Sequence, residues 1–359
     1  MGKRNSVTTR DIAEKAGVSQ STVSMILSKK KNVSFSEETR ERVLAAAEAL
    51  GYKKPARKPP VPDRSLSGTI IVLCPVISNG YYSRVIQAVI ERGHDLGYTV
   101  LTAVTFRDPD RENDYFRLFS ENELTGVISL YPLTRYTEAN ALARRIPVIS
   151  IGDKPEGIRF DSIELDSRKQ GLLMARHLTG LGHKRIAFIS PPVVKKEISR
   201  TRRLEGIREG LMEAGLDPSA AELYCPSQKA WAAYPHTGAE YQAGYDMTMK
   251  ALSSGTMATA FVGNNDDIAL GILAALSDKG FRVPEDFSAA GFDNALLSSM
   301  PAISLTSVEH SAYRKGMKSV DLLHEKRLNR DAGTRENLII RLEYEPELIP
   351  RRTTGQARA

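Results

Sequence analysis

A chain of 359 residues is longer than one hydrophobic core ordinarily serves, so two or three structural units are expected. No apolar run approaches the roughly 20 residues that cross a bilayer, and Met1-Gly2-Lys3-Arg4-Asn5 leads into no apolar stretch of signal type. The expectation is therefore a cytoplasmic protein with no membrane partner, and Cys74 and Cys225, at neither metal-ligand nor redox spacing, read as reduced thiols. The whole net charge of +7 sits on residues 1–64, which hold 14 Lys/Arg against 7 Asp/Glu, while the remaining chain carries 36 of each. A basic head on a neutral body points to a polyanion as the head's partner, with a solvated basic terminus as the bland alternative.

Taking the head in order, Thr8 or Thr9 caps a first helix, with Asp11 near the capping-box position. Ile12, Ala13 and Ala16 form its buried stripe, and Gly17 ends it because the turn needs a positive φ. Ser19 caps a second helix from Gln20 to about Leu27. There Val23, Ile26 and Leu27 face inward, leaving Gln20, Ser21, Thr22, Ser24 and Met25 outside. Ser36 starts a third helix, in which Val43, Ala46, Ala47 and Leu50 recur at helical spacing and Gly51 supplies the stop. Three short helices of this kind make a helix-turn-helix unit.

The residues Val7-Thr8-Thr9-Arg10-Asp11-Ile12-Ala13-Glu14-Lys15-Ala16-Gly17-Val18-Ser19, Thr22-Val23-Ser24, Val33-Ser34, Thr39-Arg40-Glu41-Arg42-Val43 and Leu50-Gly51-Tyr52 resemble the DNA-binding head of the lactose and galactose repressor (LacI/GalR) family. The resemblance implies that Gln20 to Met25 read the major groove of a double-stranded operator, with Thr8, Ser19, Gln20, Ser21, Thr22, Ser24, Met25 and Tyr52 as DNA contacts. Gln20 suits an adenine edge, and the hydroxyls of Ser21 and Thr22 suit base or phosphate. Met25 departs from the family, which usually places an arginine there. A thioether cannot make the bidentate contact to guanine, so the operator is expected to lack the family's guanine preference at that point.

After Tyr52 the family normally continues into an alanine-rich hinge helix that wedges a leucine into the minor groove. This chain reads Lys53-Lys54-Pro55-Ala56-Arg57-Lys58-Pro59-Pro60-Val61-Pro62-Asp63-Arg64 instead. Pro59, Pro60 and Pro62 lack amide donors and disfavour helical geometry in their predecessors, so a basic polyproline tether over residues 53–66 replaces the usual hinge. Lys53, Lys54 and Arg57, with Lys58, either track phosphates or serve a linker charged only for solubility.

From Ser67 the pattern changes to apolar strand runs alternating with amphipathic helices. Strands are expected at 69–73, 98–104, 126–130, 147–151, 185–189 and 259–262, and helices at 82–96, between 130 and 147, from near Asp166 to Leu181, from about Arg203 to Ala214, and at 266–279. Continuous apolar strands separated by helices indicate parallel sheets covered on both faces. The series restarts near Asp166, so two similar doubly wound lobes follow, with a ligand cleft beyond the carboxyl ends of their strands. Ser78-Asn79-Gly80-Tyr81-Tyr82, Asp153, Asn264-Asn265-Asp266-Asp267 and Asp293 all stand at such ends. Carboxylates and amides that pair with vicinal hydroxyls, beside aromatic faces, are sugar-binding chemistry.

Leu181-Gly182-His183-Lys184-Arg185-Ile186-Ala187, Arg203-Leu204-Glu205-Gly206, Asn265-Asp266 with Ala269-Leu270-Gly271, Val283-Pro284-Glu285-Asp286 and Gly291-Phe292-Asp293 are similar to the same family's effector-domain signatures. That similarity implies a periplasmic-binding-protein-like body over 67–352. One lobe would be built from about 67–165 and 312–340, the other from about 166–311 and 341–352, with 353–359 a flexible tail. It also implies Asn79, Tyr81, Tyr82, Asp153, Arg203, Asn265, Asp266 and Asp293 as effector contacts; Asp266 can equally cap its helix. The segment 227–238 looks longer than the family's loop and holds the only tryptophan. There Trp231 or Tyr234 either caps the cleft or belongs to a packed surface loop.

The reading is a homodimeric DNA-binding regulator, a repressor, with an α helix-turn-helix head (1–52) and an α/β two-lobed body that takes a small molecule, a carbohydrate in first place. Neither a cofactor, a metal site nor a catalytic group is expected, since phosphate-cradling loops, histidine pairs at metal spacing and a nucleophile elbow are all missing. Among the six histidines only His310 is placed to reach the cleft. The rivals are an enzyme, a free-standing solute-binding protein, and a nucleoid-type DNA binder without an effector.

Overall fold

Thr8 opens the head by closing a capping box. Its hydroxyl accepts from Asp11 N at 3.4 Å, and the Asp11 carboxylate accepts from Thr8 N at 2.7 Å. In the computed structural model, which describes residues 8–27, 35–52, 66–153, 157–193, 198–333 and 338–358, the chain divides into two units, Met1–Arg64 and Ser65–Ala359. The head contains α1 (Thr9–Ala16), α2 (Gln20–Leu27) and α3 (Glu37–Ala49). Gly17, at φ +63°, turns α1 towards α2 in a conformation that costs most residues a Cβ clash. Ile12, Val23 and Val43 are fully buried at the centre, and Val18, Leu27, Phe35, Leu50 and Tyr52 close the rim. These are the three helices and the inward faces expected. Residues 53–65, with Lys53, Lys54 and Arg57, lie outside the described residues.

The body begins with β1 (Thr69–Cys74), α4 (Gly80–Asp95), β2 (Thr99–Val104), α5 (Pro109–Glu121), β3 (Gly126–Ser129), α6 (Tyr136–Ala143), β4 (Val148–Gly152) and β5 (Asp161–Glu164). It crosses to a second lobe with α7 (Ser167–Gly180), β6 (Ile186–Ile189), α8 (Ile198–Glu213), β7 (Ala221–Tyr224), α9 (Gln228–Ala233), α10 (Ala239–Ser253), β8 (Ala260–Gly263), α11 (Asp266–Asp278), β9 (Ser288–Phe292), α12 (Leu296–Ser299) and β10 (Thr306–Glu309). The chain returns for α13 (Ala312–Asp331) and β11 (Arg341–Glu343), then crosses a third time to β12 (Glu347–Ile349). Each sheet has six strands, in the orders β2-β1-β3-β4-β5-β11 and β7-β6-β8-β9-β10-β12. All pairings are parallel except β10 with β12. The two orders correspond strand for strand, which is the repeat expected from the restart near Asp166. Strands β1, β3, β4, β6, β8 and β9 are buried along their whole length, as sheets covered on both faces require.

Several boundaries differ from expectation for identifiable reasons. Helix α4 starts two residues early because Asn79 Oδ1 accepts from Tyr81 N at 3.0 Å and Tyr82 N at 3.4 Å, capping it. Helix α8 starts at Ile198 rather than near Arg203. Residues 341–343, expected in the second lobe, pair in parallel with β5 of the first sheet. Ile340, Leu342 and Tyr344 alternate along that segment and rest on the first lobe's core, so burial decides which sheet takes it. Residues 353–358 are docked rather than flexible. Thr353 O accepts from Ala289 N at 2.8 Å, its hydroxyl accepts from Thr306 N at 2.9 Å, and Ala357 N donates to Leu181 O at 2.8 Å. The tail thereby satisfies backbone donors at the starts of β9 and β10 that burial would otherwise leave unpaired.

Helices α7 and α8 touch backbone to backbone. A Cβ on Gly206 would lie 2.0 Å from Arg168 O, and one on Gly171 would lie 2.1 Å from Arg203 O. This glycine seam seats Arg203 at the floor of the cleft.

Candidate functional site

On the head, the N-terminal end of α2 presents Gln20, Ser21 and Ser24 exposed and Thr22 and Met25 half-buried, while Val23 and Ile26 turn inward. Ser19 Oγ accepts from Thr22 N at 3.1 Å and lies within 2.8 Å of the hydroxyls of Ser21 and Thr22. Gln20 Nε2 donates to Thr9 Oγ1 at 3.0 Å, which holds the amide at the helix start. Thr8 is exposed, and its hydroxyl is engaged with Asp11. The bonds from Thr8 hold the Asp11 carboxyl below its ordinary range. Tyr52 is half-buried against the head's core. Polar side chains at a helix N-terminus, on the face its core does not use, have the form of a groove reader.

In the body, a cavity of about 70 Å³ lies between the lobes, beyond the carboxyl ends of both sheets. It brings together Asn79, Tyr81, Tyr82, Asp153, Arg203, Asn265 and Asp293. That is less than half of the roughly 150 Å³ cavity known to take benzene, so it holds a few waters, and a ring set against these groups also occupies space beyond them. Asp266, also expected there, does not line it. Its carboxylate accepts from Ala295 N at 2.8 Å and Ser307 Oγ at 2.7 Å, so it braces the loop after β9. Asn265, not Asp266, caps α11, accepting from Ile268 N at 3.0 Å.

Each lining side chain is also fixed by its own element. Asp153 accepts from Ser167 N at 3.1 Å and Ser167 Oγ at 2.5 Å, tying the end of β4 to the first crossing; burial pushes its carboxyl up, and the Ser167 bonds offset part of that. Arg203 Nε donates to Gln170 Oε1 at 3.0 Å, another guanidinium nitrogen donates to the Asn264 carbonyl, and the group stands 4.6 Å from the Phe292 ring centre. Tyr131 reaches the cavity with its hydroxyl donating to buried Glu112 at 2.7 Å, so it presents a ring.

The electrostatics at the base turn on Asp293 and His310, 2.9 Å apart and both buried. Burial pushes the Asp293 carboxyl upward against the pull of Arg203. Burial also pushes His310 well below its ordinary value, helped by Lys315 and Arg203. A neutral imidazole beside a carboxyl that gains or loses a proton easily is an adaptable hydrogen-bonding pair. Tyr81 Oη, Asn264 Oδ1 and His310 Nδ1 are buried and have no hydrogen-bond partner. All three residues line the cavity. Three residues of one wall thus carry buried polar atoms that no protein group satisfies.

The cavity continues into a larger one of about 620 Å³, sharing Tyr82, Arg107, Arg200 and Glu240 with it. Its outer wall is α9, so the segment 227–238 faces the cleft. Across the junction Asn79 Nδ2 donates to Glu240 at 2.9 Å and to Asp267 at 3.2 Å, a direct bond between lobes. Burial, then Glu240, pushes Asp267 up to about 7.

Sequence reasoning missed Arg107, Tyr131, Arg200 and Glu240. The first two follow β2 and β3, so the strand-end rule that found Asp153 and Asp293 also covers them; Arg200 and Glu240 lie near helix starts, with no such signal. Among the described residues no group of His, Cys, Asp and Glu could hold a metal ion, and no helix is long and apolar enough to cross a membrane.

Residues 8–54 match the family described as bacterial regulatory proteins, lacI family, and residues 175–354 match the periplasmic binding protein-like domain. The HTH-type transcriptional repressor PurR of Haemophilus influenzae (strain PittEE) is 30% identical over 354 residues, 96% of this chain and 98% of that protein. Catabolite control protein A of Streptococcus mutans is 27% identical over 345 residues, 95% of this chain and 97% of that protein. Among solved structures, the lac repressor dimer bound to operator and the anti-inducer ONPF superposes with a TM-score of 0.65 at 26% identity, covering 98% of this chain and all of that one.

Proposed function

We propose, on the premise that the chain belongs to the LacI family of bacterial regulatory proteins, that it acts as a homodimeric repressor whose operator affinity is set by a carbohydrate held between the lobes of its body. A DNA-binding transcriptional regulator with a ligand-binding body follows from the family itself; repression, dimerisation and the ligand's chemistry are the proposal. One observation carries the carbohydrate reading. Amides, carboxylates and a guanidinium from both lobes converge with Tyr81, Tyr82 and Tyr131 on one cavity, and three of its lining residues carry buried polar atoms without a partner. Hydroxyl-rich neutral molecules meet that demand, both donating and accepting. A ligand that bridges the lobes favours one arrangement of them, and any difference in DNA affinity between arrangements becomes the regulatory effect.

The test is a calorimetric and thermal-shift screen of sugars, sugar phosphates and purines, followed by operator binding with each hit. A sugar that binds and changes operator affinity, and loses at least fivefold in Kd with Asp293→Ala, agrees with the proposal; leaving a buried hydrogen-bonding group without its partner costs about 1–3 kcal/mol, or roughly fivefold or more. Exclusive binding of a purine overturns the carbohydrate reading. A nucleoid-type binder predicts no ligand at all.

A further inference from the structure

We infer that the chamber beside the polar cavity is a second carbohydrate subsite, so that the effector spans at least two linked rings. The inference rests on the carbohydrate reading and extends it. The two spaces are continuous through Tyr82, Arg107, Arg200 and Glu240, yet their chemistry differs. The inner cavity is a nest of buried hydrogen-bonding groups. The outer chamber is walled by aromatic rings from both lobes: Phe106 and Tyr82 from the first, Trp231, Tyr234, His236 and Tyr241 from the second. Such plates take the apolar C–H faces of sugar rings while the hydroxyls point to edges. Its wall sets Arg107 and Arg200 against Glu240 and Asp267, so both signs of charge are present and each cation has a carboxyl in the same wall. Its volume of about 620 Å³ lies within the roughly 300–1,000 Å³ usual for ligand sites, and far exceeds what one ring needs.

Two local features have no role in the core. Helix α9 buries none of its residues. Its Trp231 meets Tyr234 edge-on at 6.0 Å, and the Tyr234 hydroxyl donates to Asp246 at 2.7 Å, so the pair is held upright against α10. Opposite it, Phe106 and Arg107 both adopt the left-handed backbone conformation, at φ +53° and +57°. That conformation is rare in bulky residues and clusters at ligand clamps. It delivers the Phe106 ring across the chamber's mouth, where it stacks on His236 of the other lobe at 4.4 Å and 29°. A strained loop that carries a 37% exposed phenylalanine into contact with the opposite lobe is a gate over the second subsite.

The experiment uses the full chain, whose only tryptophan is Trp231. Glucose, galactose, xylose and arabinose are titrated alongside the α- and β-linked disaccharides of each, with adenosine and guanosine as a separate arm. Tryptophan emission, melting temperature and calorimetry are read. The expected result is a disaccharide that binds at least tenfold more tightly than either component and moves the Trp231 emission. Trp231→Ala then lowers the ratio of disaccharide to monosaccharide affinity at least tenfold, and Trp231→Tyr restores most of it. Neither variant opens a core, because α9 buries nothing. Monosaccharide binding without a gain for any disaccharide overturns the second subsite and leaves the carbohydrate effector standing, whereas nucleoside binding with no sugar binding overturns both. A bound disaccharide that leaves the emission unmoved, an affinity ratio indifferent to Trp231→Ala, or a panel in which no disaccharide binds also overturns the inference.

Discussion

Lys315 sits fully buried near the start of α13, one turn after the second crossing, and its ammonium has no hydrogen-bond partner. The ring of Tyr344 stands 5.8 Å away and offers only a weak substitute. The charges facing it are Glu309 of β10, Asp153 after β4, Arg203 of α8 and Glu343 of β11, with His310 beside the crossing. Burial outweighs the carboxylates and brings the amine down from 10.5 to about 7. That difference is equivalent to about 5 kcal/mol, a ceiling that side-chain relaxation lowers. Replacing buried charge with an apolar side chain of similar volume can gain about 1–4 kcal/mol, so Lys315→Met is expected to stabilise the body. A unit of roughly 300 residues has an unfolding entropy near 0.6 kcal/mol per kelvin, so the melting temperature rises by about 2–6 °C. The pH dependence fixes the cause. Between about 7 and 10.5 the unfolded amine is protonated and the folded one is not, so the Lys315 contribution to stability climbs with pH across that window. The advantage of Lys315→Met is therefore largest at pH 7 and below and disappears above pH 10. Urea midpoints at pH 6, 7.5 and 9 measure it. A gain that does not shrink with pH, or a loss of stability, refutes an uncompensated buried amine.

Other outcomes follow from single features. Met25→Arg is expected to create a guanine requirement at one position of each half-site, worth about 1–3 kcal/mol, in a binding-site selection where wild type shows none. Deleting Lys53–Lys58 is expected to flatten the slope of log affinity against log salt, by nearly one for each phosphate no longer neutralised; an unchanged slope makes the segment a spacer. Asn79→Asp keeps an oxygen to cap α4, removes the donor to Glu240 and Asp267, and sets a third carboxyl beside them. Calorimetry should show sugar affinity falling at least tenfold while the melting temperature drops by no more than a few degrees, and raising the pH above 7 should deepen the loss as Asp267 ionises.

The fold was legible because its signals are local. Buried strands such as Thr69–Cys74 are continuous apolar runs, and the head's helices carry their caps in sequence, at Thr8 and Ser36. What stayed hidden depends on partners far along the chain. Residues 341–343 are too short to announce a sheet, and only the match of Leu342 to the first lobe's core places them there. The tail reads as polar and terminal, yet Thr353 and Ala357 find unpaired backbone groups waiting on the second lobe. In the site, strand-end polar residues were found by position, whereas Glu240 and Arg200 arrive from helices whose register no strand fixes.

The competition between structural and binding roles, which the sequence left open at Asn79, dissolves in the geometry. An amide has two ends. Oδ1 of Asn79 caps α4, and its Nδ2 is thereby aimed across the cleft at Glu240 and Asp267. Asn265 caps α11 with its own Oδ1, which aims its Nδ2 away from the helix start. Asp153 is held by Ser167, and Asp293 by His310 and a backbone at φ +115°. Local anchoring is what a binding group needs, since a side chain already fixed loses little conformational freedom when a ligand arrives. The same anchoring makes each residue look structural in isolation. Asp266 has both oxygens committed and does not line the cleft cavity, so the distinction lies in what remains after the local bonds are made. By that measure Tyr81, whose one polar side-chain atom is buried and unpartnered, stands with Asn264 and His310 as the lining residues whose local bonds are incomplete.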